Sequence, residues 1–434
     1  MTGKDPKSII DDGAMSVGQW VAVLVTMGLN ALDGFDVLSI SFASPGIAHD
    51  WGIDKATLGW VLSMELLGMA LGSLLLGGVA DKAGRRPTIL GCLLAMAVGM
   101  FAAADARGVS EILPWRLLTG LGIGGTLASI NAAAAELSNR RWRNFALALM
   151  VIGYPLGGVA GGLIVQKLLA VSSWRAVFVF GAWATVAFLP IVWALVPESV
   201  AFLDRRRPRG ALERINRILA RFGHAPASSL SEVPPAAERR SIADILRPGL
   251  LATTVLITFA YFAHITSFYF ILKWIPKIVV DMGFAPAAAA GVLTWLNVGG
   301  ATGGALFGLI ATRMGVKPLT LITLLGASLL IVCFGRAPAD LASLRTTVAV
   351  AGFFTNSAIA GLYLLFAIVF PTRVRATGTG FAIGVGRGGA MLAPVIAGYL
   401  FRAGFALPNV ALVMAMGSLL AAAALLMLRV READ

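Results

Sequence analysis

Residues 77–87 read Gly77-Gly78-Val79-Ala80-Asp81-Lys82-Ala83-Gly84-Arg85-Arg86-Pro87, and a related stretch begins 231 positions later (77 to 308) with Gly308 and ends with Pro318. At this offset Gly84 corresponds to Gly315. Other glycines match at the same offset on both sides of the stretch: Gly68 with Gly299, Gly72 with Gly303, Gly153 with Gly384, and Gly157 with Gly388. Agreement over such a distance without a change of register indicates that the chain consists of two related halves.

The composition is that of a membrane protein. Hydrophobic residues make up 58% of the chain and charged residues only 13%, whereas a soluble domain carries about 25% charged residues. A helix needs about 20 largely apolar residues to cross a bilayer. We predict twelve spans, at residues 17–42, 57–78, 87–105, 113–137, 145–169, 174–196, 248–276, 287–311, 318–336, 344–370, 376–401 and 407–428. Repeated halves in such a chain are typical of transporters.

The net charge of +13 would also suit a nucleic-acid-binding protein, but the basic residues alternate between the two sides of the predicted membrane. The loops after the second, fourth, eighth and tenth spans hold most of them: Lys82/Arg85/Arg86, Arg140/Arg141/Arg143, Arg313/Lys317 and Arg373/Arg375. The opposite loops mostly hold single charges such as Lys55 and Arg107. By the positive-inside rule the basic loops and both termini are cytoplasmic, and the two halves share one orientation.

A basic segment, residues 197–247, separates a predicted N-terminal six-helix bundle (1–196) from a C-terminal one (248–434). Within this linker Leu212, Ile215, Leu219 and Phe222 recur at helical spacing between arginines. This pattern suits a short helix that lies on anionic lipid headgroups. A solvated basic linker is the alternative.

Several classes of protein are excluded. The two cysteines, Cys92 and Cys333, lie in apolar segments and form no disulfide or metal framework. The chain has no G-x-x-x-x-G-K-[ST] loop for a nucleotide. Its three histidines, His49, His224 and His264, fall in different compartments and support no Ser/His/Asp catalysis. The sequence therefore predicts no enzyme, no cofactor and no metal site.

Polar residues inside membrane segments are costly, so each one is a candidate functional residue. In the first span Asn30, Asp33 and Asp36 recur every three residues and share one helix face. The two carboxylates repel each other and are poorly solvated, which favours protonation of at least one of them. They are the main candidates for proton coupling, with a fixed capping or ion-pair role as the alternative. Glu65 and His264 are further candidates, with a polar-pocket cap and a hydrogen-bonded neutral imidazole as their alternatives.

Arg387 lies about eleven residues, or roughly 16 Å, inside the eleventh span. Its guanidinium can bind a carboxylate through two hydrogen bonds, so we expect it to bind a substrate anion. A structural ion pair with the first or second span is the alternative. Further candidates for substrate binding are Tyr261, Tyr269, Lys273 and Trp274 in the seventh span and Asn131, Asn297 and Asn356 elsewhere. The alternatives are extension of Lys273 to the membrane interface and helix-joining roles for the asparagines.

The repeated basic loop is predicted to act as a gate, because its charges lie at the ends of spans rather than inside them. An acidic group placed against a helix N-terminus, or against the basic cluster after the fourth span, can hold one conformation and separate in the other. The predicted gating residues of the loop and cluster are Gly77, Asp81, Gly84, Arg85, Arg86 and Arg143. Thr312 replaces the aspartate in the second half, so the charge latch there should be weaker or absent.

These motifs resemble the major facilitator superfamily over essentially the whole chain. Residues 77–86 look like the family's motif between its second and third helices, and 308–317 like the degenerate copy. Asp33-Gly34-Phe35-Asp36 is similar to the D-G-[FY]-D motif of the aromatic acid:proton symporters. The stretches Arg116-Leu117-Leu118-Thr119-Gly120-Leu121-Gly122 and Pro371-Thr372-Arg373-Val374-Arg375-Ala376-Thr377-Gly378, together with Glu136, also resemble that group. The resemblance adds Arg116 and Glu136 to the gating residues.

The resemblance implies an all-α membrane protein of twelve transmembrane helices in two six-helix bundles around a central cavity. It further implies proton-driven uptake of small aromatic carboxylates, such as hydroxybenzoates, gentisate or vanillate, across a bacterial inner membrane. The expected partners are a small organic anion, protons and membrane lipids, with no nucleic acid, and the expected state is a monomer.

Two alternatives stay open at the level of sequence. Gly153-Tyr154-Pro155-Leu156-Gly157-Gly158 in the fifth span is partly similar to the glycine-proline signature of drug:proton antiporters, which keeps proton-driven export open. The other alternative is a membrane sensor that has the same fold and transports nothing.

Overall fold

The computed structural model describes residues 5–231, 242–371 and 373–428, and all regular secondary structure in these ranges is helical. Both chain ends, the middle of the linker and Thr372 lie outside the described residues. The helices are α1 Pro6–Asp12, α2 Val17–Trp51, α3 Lys55–Ala83, α4 Arg85–Asp105, α5 Val109–Leu137, α6 Arg143–Val171, α7 Arg175–Leu195, α8 Val200–Arg206, α9 Ala211–Arg221, α10 Ile242–Ile245, α11 Pro248–Asp281, α12 Pro286–Met314, α13 Val316–Gly335, α14 Leu341–Val369, α15 Arg375–Arg402 and α16 Leu407–Met427.

Among the described helices, α2 to α7 and α11 to α16 are long and apolar enough to cross a membrane, which confirms the twelve predicted spans. Two of them extend well beyond the predicted ends, since α2 continues to Trp51 and α11 to Asp281. Polar residues end a hydropathy window, but they do not end a helix whose backbone hydrogen bonds continue. Large apolar side chains such as Leu74, 73% exposed, face outward, as expected where the solvent is lipid.

The described residues form two compact units that do not coincide with the two halves of the sequence. The first unit comprises 5–37, 68–157 and 178–231. The second comprises 38–67, 158–177 and the described residues from 242 onward. One end of α2, α3 and α6 thus belongs to the second unit although these helices lie in the first half. The division into two six-helix bundles stays a prediction.

The repeated glycines form two backbone-to-backbone seams, one in each unit. In the first unit α3 packs on α5, and in the second α12 packs on α14. A methyl group at any of four glycines would overlap a carbonyl of the facing helix: Gly68 at Leu117, Gly72 at Leu121, Gly299 at Ala349 and Gly303 at Phe353. These are the glycines that match at the repeat offset, so the two halves preserve the same close helix contact.

The second pair of matching glycines behaves differently in the two halves. Gly153 and Gly157 pack directly on backbone carbonyls of α2, as expected for a close helix contact. At the matching positions of the second half, Gly384 faces open space, and a methyl group at Gly388 would make only an ordinary contact with the Phe262 ring. In that half α15 instead approaches α11 at Gly389, where a methyl group would overlap the Phe262 carbonyl.

The linker begins with two helices that pack on the first unit. The helical pattern predicted around Ile215 is confirmed as α9. Ile215 and Leu219 are fully buried and Phe222 packs against Gly18, so the apolar side of α9 faces protein and not a membrane. The prediction of an apolar face on lipid headgroups is therefore wrong, and the arginines of α9 point outward.

The linker contact with α2 should depend on pH. His224 Nε2 lies 3.1 Å from Gln19 Oε1, and burial lowers the pKa of His224. Because burial disfavours the charged ring, the packed state of the linker is fully stabilised above the unfolded pKa of about 6.5, and this stability is lost as pH falls through the folded pKa. The test compares the rate of linker proteolysis in the wild type with the rate in His224→Gln. We expect the wild-type rate, divided by the variant rate, to be about twofold higher at mildly acidic pH than at neutral pH. A ratio independent of pH would remove His224 from this contact.

Candidate transport site

The acidic cluster of the first unit lies on one face of α2. Asp33 and Asp36 are both buried, with Asp33 only 1% exposed. Neither carboxylate oxygen of Asp33 has a hydrogen-bond partner among the described residues. The third polar group, Asn30, donates from Nδ2 to the Met150 carbonyl at 2.9 Å and joins α2 to α6. A buried carboxylate without a hydrogen bond is costly when ionised, so the arrangement suits a group that takes up a proton.

Arg116 of α5 lies beside this cluster and is completely buried. Its Nη2 donates to the backbone carbonyl of Asp36 at 3.3 Å, and its guanidinium stands 5.2 Å from the Phe178 ring centroid. The resemblance grouped Arg116 with the gate, but the structure places it with the acidic residues of α2. This contact holds a buried cation against the segment of α2 that carries the two carboxylates.

The second unit brings together a cation and phenol rings. Arg387 of α15 is half-buried and lies close enough to Tyr261 and Tyr269 of α11 to interact electrostatically with both. The hydroxyl groups of Tyr261 and Tyr363 are 3.1 Å apart, and their ring centroids 5.7 Å apart. Gly386 allows this arrangement because a methyl group there would overlap the Tyr261 ring. A cation in the same region as phenol rings can bind an aromatic anion.

A buried ion pair joins α3 to α11 within the second unit. Lys273 Nζ lies 3.5 Å from Glu65 Oε2, and neither side chain is exposed at all. The alternative that Lys273 extends to the membrane interface is therefore wrong. Glu65 also interacts electrostatically with Tyr269, which links the pair to the tyrosine cluster.

Two exposed ion pairs lie near the same end of α3. Lys55 is 3.1 Å from Asp281, and Arg402 is 3.3 Å from Asp54. Hydrogen bonds from Thr57, followed by the charge of Arg402, lower the pKa of Asp54. Because these groups are accessible to solvent, each pair contributes little to stability. The fully buried pair has far larger energetic consequences.

The remaining seventh-span residues have structural partners. Trp274 is fully buried and donates from Nε1 to the Pro394 carbonyl at 3.2 Å. His264 is buried with Nδ1 3.0 Å from Ser418 Oγ and Nε2 3.0 Å from the Thr355 carbonyl. Both ring nitrogens are thus engaged, which favours the alternative of a hydrogen-bonded neutral imidazole.

The three asparagines do not form one group. Asn297 contacts Gly158, and Asn356 contacts Gly300, so each packs against a glycine of a neighbouring helix in the second unit. Asn131, in the first unit, is exposed and donates to the Leu127 carbonyl of its own helix. Helix packing therefore accounts for two of the three, as the alternative reading proposed.

The predicted gating loop forms an ion network inside the first unit. Arg85 Nη1 lies 2.7 Å from Asp81 Oδ1 and its Nη2 3.3 Å from Glu136 Oε1. The aspartate thus pairs with the first residue of α4 and with Arg205 at 3.9 Å, not with the basic cluster after α5. Arg143 from that cluster pairs with Asp11 instead, because α1 folds back over it.

Glu198, which sequence reasoning missed, caps this loop. Its carboxylate oxygens accept from the backbone N–H groups of Arg85 at 2.9 Å and Arg86 at 3.3 Å. Burial raises the pKa of Glu198, while hydrogen bonds from these amides and from Ser199 oppose the rise. Gly84 precedes them with φ +112°, and a side chain there would overlap the Glu198 carboxylate. The available signal was one carboxylate directly after Pro197 at the end of the sixth span.

The copy of the loop in the second unit forms no ion network with the residues that the structure describes. Gly315 has φ +78°, so the backbone turn at Gly84 is repeated. Thr312, at the aspartate position, donates its hydroxyl proton to the Leu309 carbonyl. Lys317 reaches the Leu428 carbonyl at 2.7 Å. Gly77, also in the gating set, makes only an ordinary contact with Ala128.

Known proteins similar to this chain are transporters. The family model for the Major Facilitator Superfamily matches residues 26–348, well over half of the chain. The gallate transporter of Pseudomonas putida is 29% identical over 427 residues, which cover 97% of this chain and 94% of that protein. The 4-hydroxybenzoate transporter PcaK of Pseudomonas putida is 30% identical over 393 residues, covering 89% and 87% respectively.

The fold has close counterparts among solved structures. The crystal structure of a D-xylose-proton symporter superposes with a TM-score of 0.70 at 17% sequence identity. The superposition covers 92% of this chain and 97% of the symporter. At that identity the likeness concerns the fold.

Proposed function

Since the chain belongs to the Major Facilitator Superfamily, we propose that it imports small aromatic carboxylates together with protons by alternating access. The observation that carries this proposal is the position of Arg387 beside Tyr261 and Tyr269, a cation next to phenol rings. The names of the relatives support the same substrate class, because gallate and 4-hydroxybenzoate are both aromatic acids.

On the substrate side, Arg387 binds the carboxylate through its planar guanidinium, and tyrosine rings contact the apolar faces of the substrate. Tyr363, which contacts Tyr261, joins this set although the sequence did not indicate it. Lys273 is a second cation of the same unit, but it becomes available to an anion only when Glu65 is neutral or displaced.

On the proton side, Asp33 and Asp36 take up and release the proton, and Arg116 responds to their charge. Glu65 is the second candidate. Importing one anion against an interior-negative potential costs about 2.3 kcal/mol per 100 mV, and one co-transported proton cancels that charge. A second proton would make the potential drive uptake.

Arg387→Gln should weaken transport of the anion selectively. Charge-assisted hydrogen bonds contribute about 1.5–3 kcal/mol, so we expect KM for 4-hydroxybenzoate to rise roughly tenfold to a hundredfold. Uptake into proteoliposomes over a range of substrate concentrations measures this. Arg336→Gln, which removes an exposed charge, is the matched control.

The amide that corresponds to 4-hydroxybenzoate tests whether Arg387 recognises the negative charge of the substrate. In the wild type, 4-hydroxybenzamide should compete far more weakly than 4-hydroxybenzoate, and Arg387→Gln should bring the two compounds close together. An unchanged preference for the carboxylate in this variant would exclude Arg387 as the anion site.

We further propose that the protein is a monomer in a bacterial inner membrane with both termini in the cytoplasm. The alternation of basic loops supports this orientation. The bacterial origin of the relatives supports the compartment.

Proteoliposomes with an imposed pH gradient test the direction of transport. Inward accumulation of labelled 4-hydroxybenzoate with an acidic exterior supports the proposal. Outward extrusion would support the export alternative, and no flux with any aromatic acid would support the sensor alternative. The packing of Gly153 and Gly157 on α2 carbonyls accounts for those glycines without reference to export.

A further inference from the structure

A strongly basic crevice lies in the first unit where the gating loop meets the linker. Its volume is about 950 Å³. Six cationic side chains line it: Lys82, Arg86, Arg206, Arg214, Arg217 and Arg221. Lys82 lies in the last turn of α3 and Arg86 in the first turn of α4, and the other four belong to the linker helices α8 and α9.

Among the described residues that line the crevice, Glu198 is the one acidic side chain. Its carboxylate oxygens already accept from the backbone N–H groups of Arg85 and Arg86. Among the described residues, Arg214 and Arg217 have no carboxylate within ion-pair distance. Six like charges around one cavity repel each other, and the single carboxylate of Glu198 leaves the crevice with an excess of positive charge.

The positions of the cations follow from the packing of α9. Ile215 and Leu219 are buried against the protein, which turns Arg214, Arg217 and Arg221 outward on the opposite face. Arg221 donates to the Ala194 carbonyl at the end of α7, and this contact holds α9 beside a membrane-spanning helix.

The crevice also has an apolar wall beside the end of a membrane-spanning helix. Trp193 lies at the last turn of α7 and is 67% exposed. The guanidinium of Arg86 stands 5.8 Å from its ring centroid. Tryptophan near the end of a membrane span is typical of the headgroup region, and Leu90 and Phe202 extend the apolar lining.

We propose that this crevice binds the phosphate group of an anionic phospholipid from the adjoining leaflet. Charge complementarity requires an anion, and the apolar wall beside a span end favours a lipid over a soluble phosphate. The lipid would join the linker to the gating loop, because Lys82 and Arg86 belong to that loop. This inference is independent of the transported substrate.

The test is a titration of purified full-length protein in neutral detergent with dioctanoyl phosphatidylglycerol, followed by native mass spectrometry and thermal unfolding. We expect saturable binding of this lipid and no saturable binding of dioctanoyl phosphatidylcholine. The double variant R214Q/R217Q should weaken binding by about tenfold, as loss of charge-assisted hydrogen bonds to phosphate implies. R140Q/R141Q removes the same charge from exposed positions outside the crevice and should change binding by less than about twofold.

Lys82→Gln provides a second variant on a different element and should also weaken binding. Equal losses in R214Q/R217Q and R140Q/R141Q would overturn the proposal in favour of unspecific charge attraction. Inorganic phosphate tested alone should give no comparable stabilisation. If it stabilises the wild type as well as the lipid does, and R214Q/R217Q abolishes that effect, the crevice is a site for a soluble phosphate and the lipid assignment is overturned.

Discussion

Proteoliposomes that contain Asp36→Asn are expected to accumulate no aromatic carboxylate when a pH gradient is imposed. Asparagine keeps the size of the side chain and its capacity for hydrogen bonds, but it cannot take up a proton. Asp36 is fully buried, and Arg116 donates to its backbone carbonyl and not to its side chain in this hydrogen bond, so the substitution leaves that helix contact in place. Gradient-driven uptake should fall by at least about a hundredfold, equivalent to roughly 2.7 kcal/mol.

Exchange of labelled for unlabelled substrate across the same membrane needs no net movement of protons and should persist in Asp36→Asn. This result would separate lost coupling from lost folding or lost binding. Asp33→Asn is the matched variant, one helical turn away on the same face, and the comparison identifies the carboxylate that carries the proton. Uptake that stays fully pH-driven in Asp36→Asn would remove this residue from the mechanism.

Lys273→Met should strongly destabilise the second unit. The substitution keeps a long side chain, but it leaves the carboxylate of Glu65 buried without its cation. Breaking one side of a buried ion pair costs about 3–5 kcal/mol, whereas replacing both partners by neutral groups is often nearly neutral. We therefore expect a large drop in the thermal unfolding temperature for Lys273→Met and recovery of most of it in Glu65→Gln/Lys273→Met.

Transport by the double variant distinguishes two roles of the pair. If Lys273 serves only to neutralise Glu65, the stable double variant transports at nearly the wild-type rate. If Lys273 also receives the substrate anion, the double variant is stable yet shows a raised KM. A double variant as unstable as Lys273→Met would contradict the ion-pair account, because the cost would then lie in lost packing.

The membrane-spanning helices and the duplication could be predicted because both can be recognised from the order of residue types alone. A helix needs about 20 largely apolar residues in a row to cross a bilayer. The glycine seams were visible as glycines that match at one offset in the two halves. Helix ends were less predictable, since α2 and α11 continue past polar residues. The open space at Gly384 shows that a matching glycine does not guarantee a matching contact.

The candidate site was only partly predictable, because whether a residue belongs to the site depends on how its helix is rotated about its axis. The spacing of Asp33 and Asp36 predicted one shared buried face of α2. Partners on other helices give no such signal, so the resemblance groups Arg116 with the gate, and the prediction that Lys273 binds substrate does not include its ion pair with Glu65. Glu198 was missed because a single carboxylate in a loop gives no sign that it will meet the backbone of α4.

The two glycine seams also determine where this protein can be engineered. At Gly72 or Gly303 the facing main chain leaves no room for even one added carbon, so combinatorial libraries that include these positions would consist largely of misfolded clones. The lipid-facing residues next to them, such as Leu75 and Leu309, are unconstrained by neighbouring atoms. Thermostabilising screens for crystallisation should therefore randomise the outer surfaces of α3 and α12 and leave the glycines of the two seams unchanged.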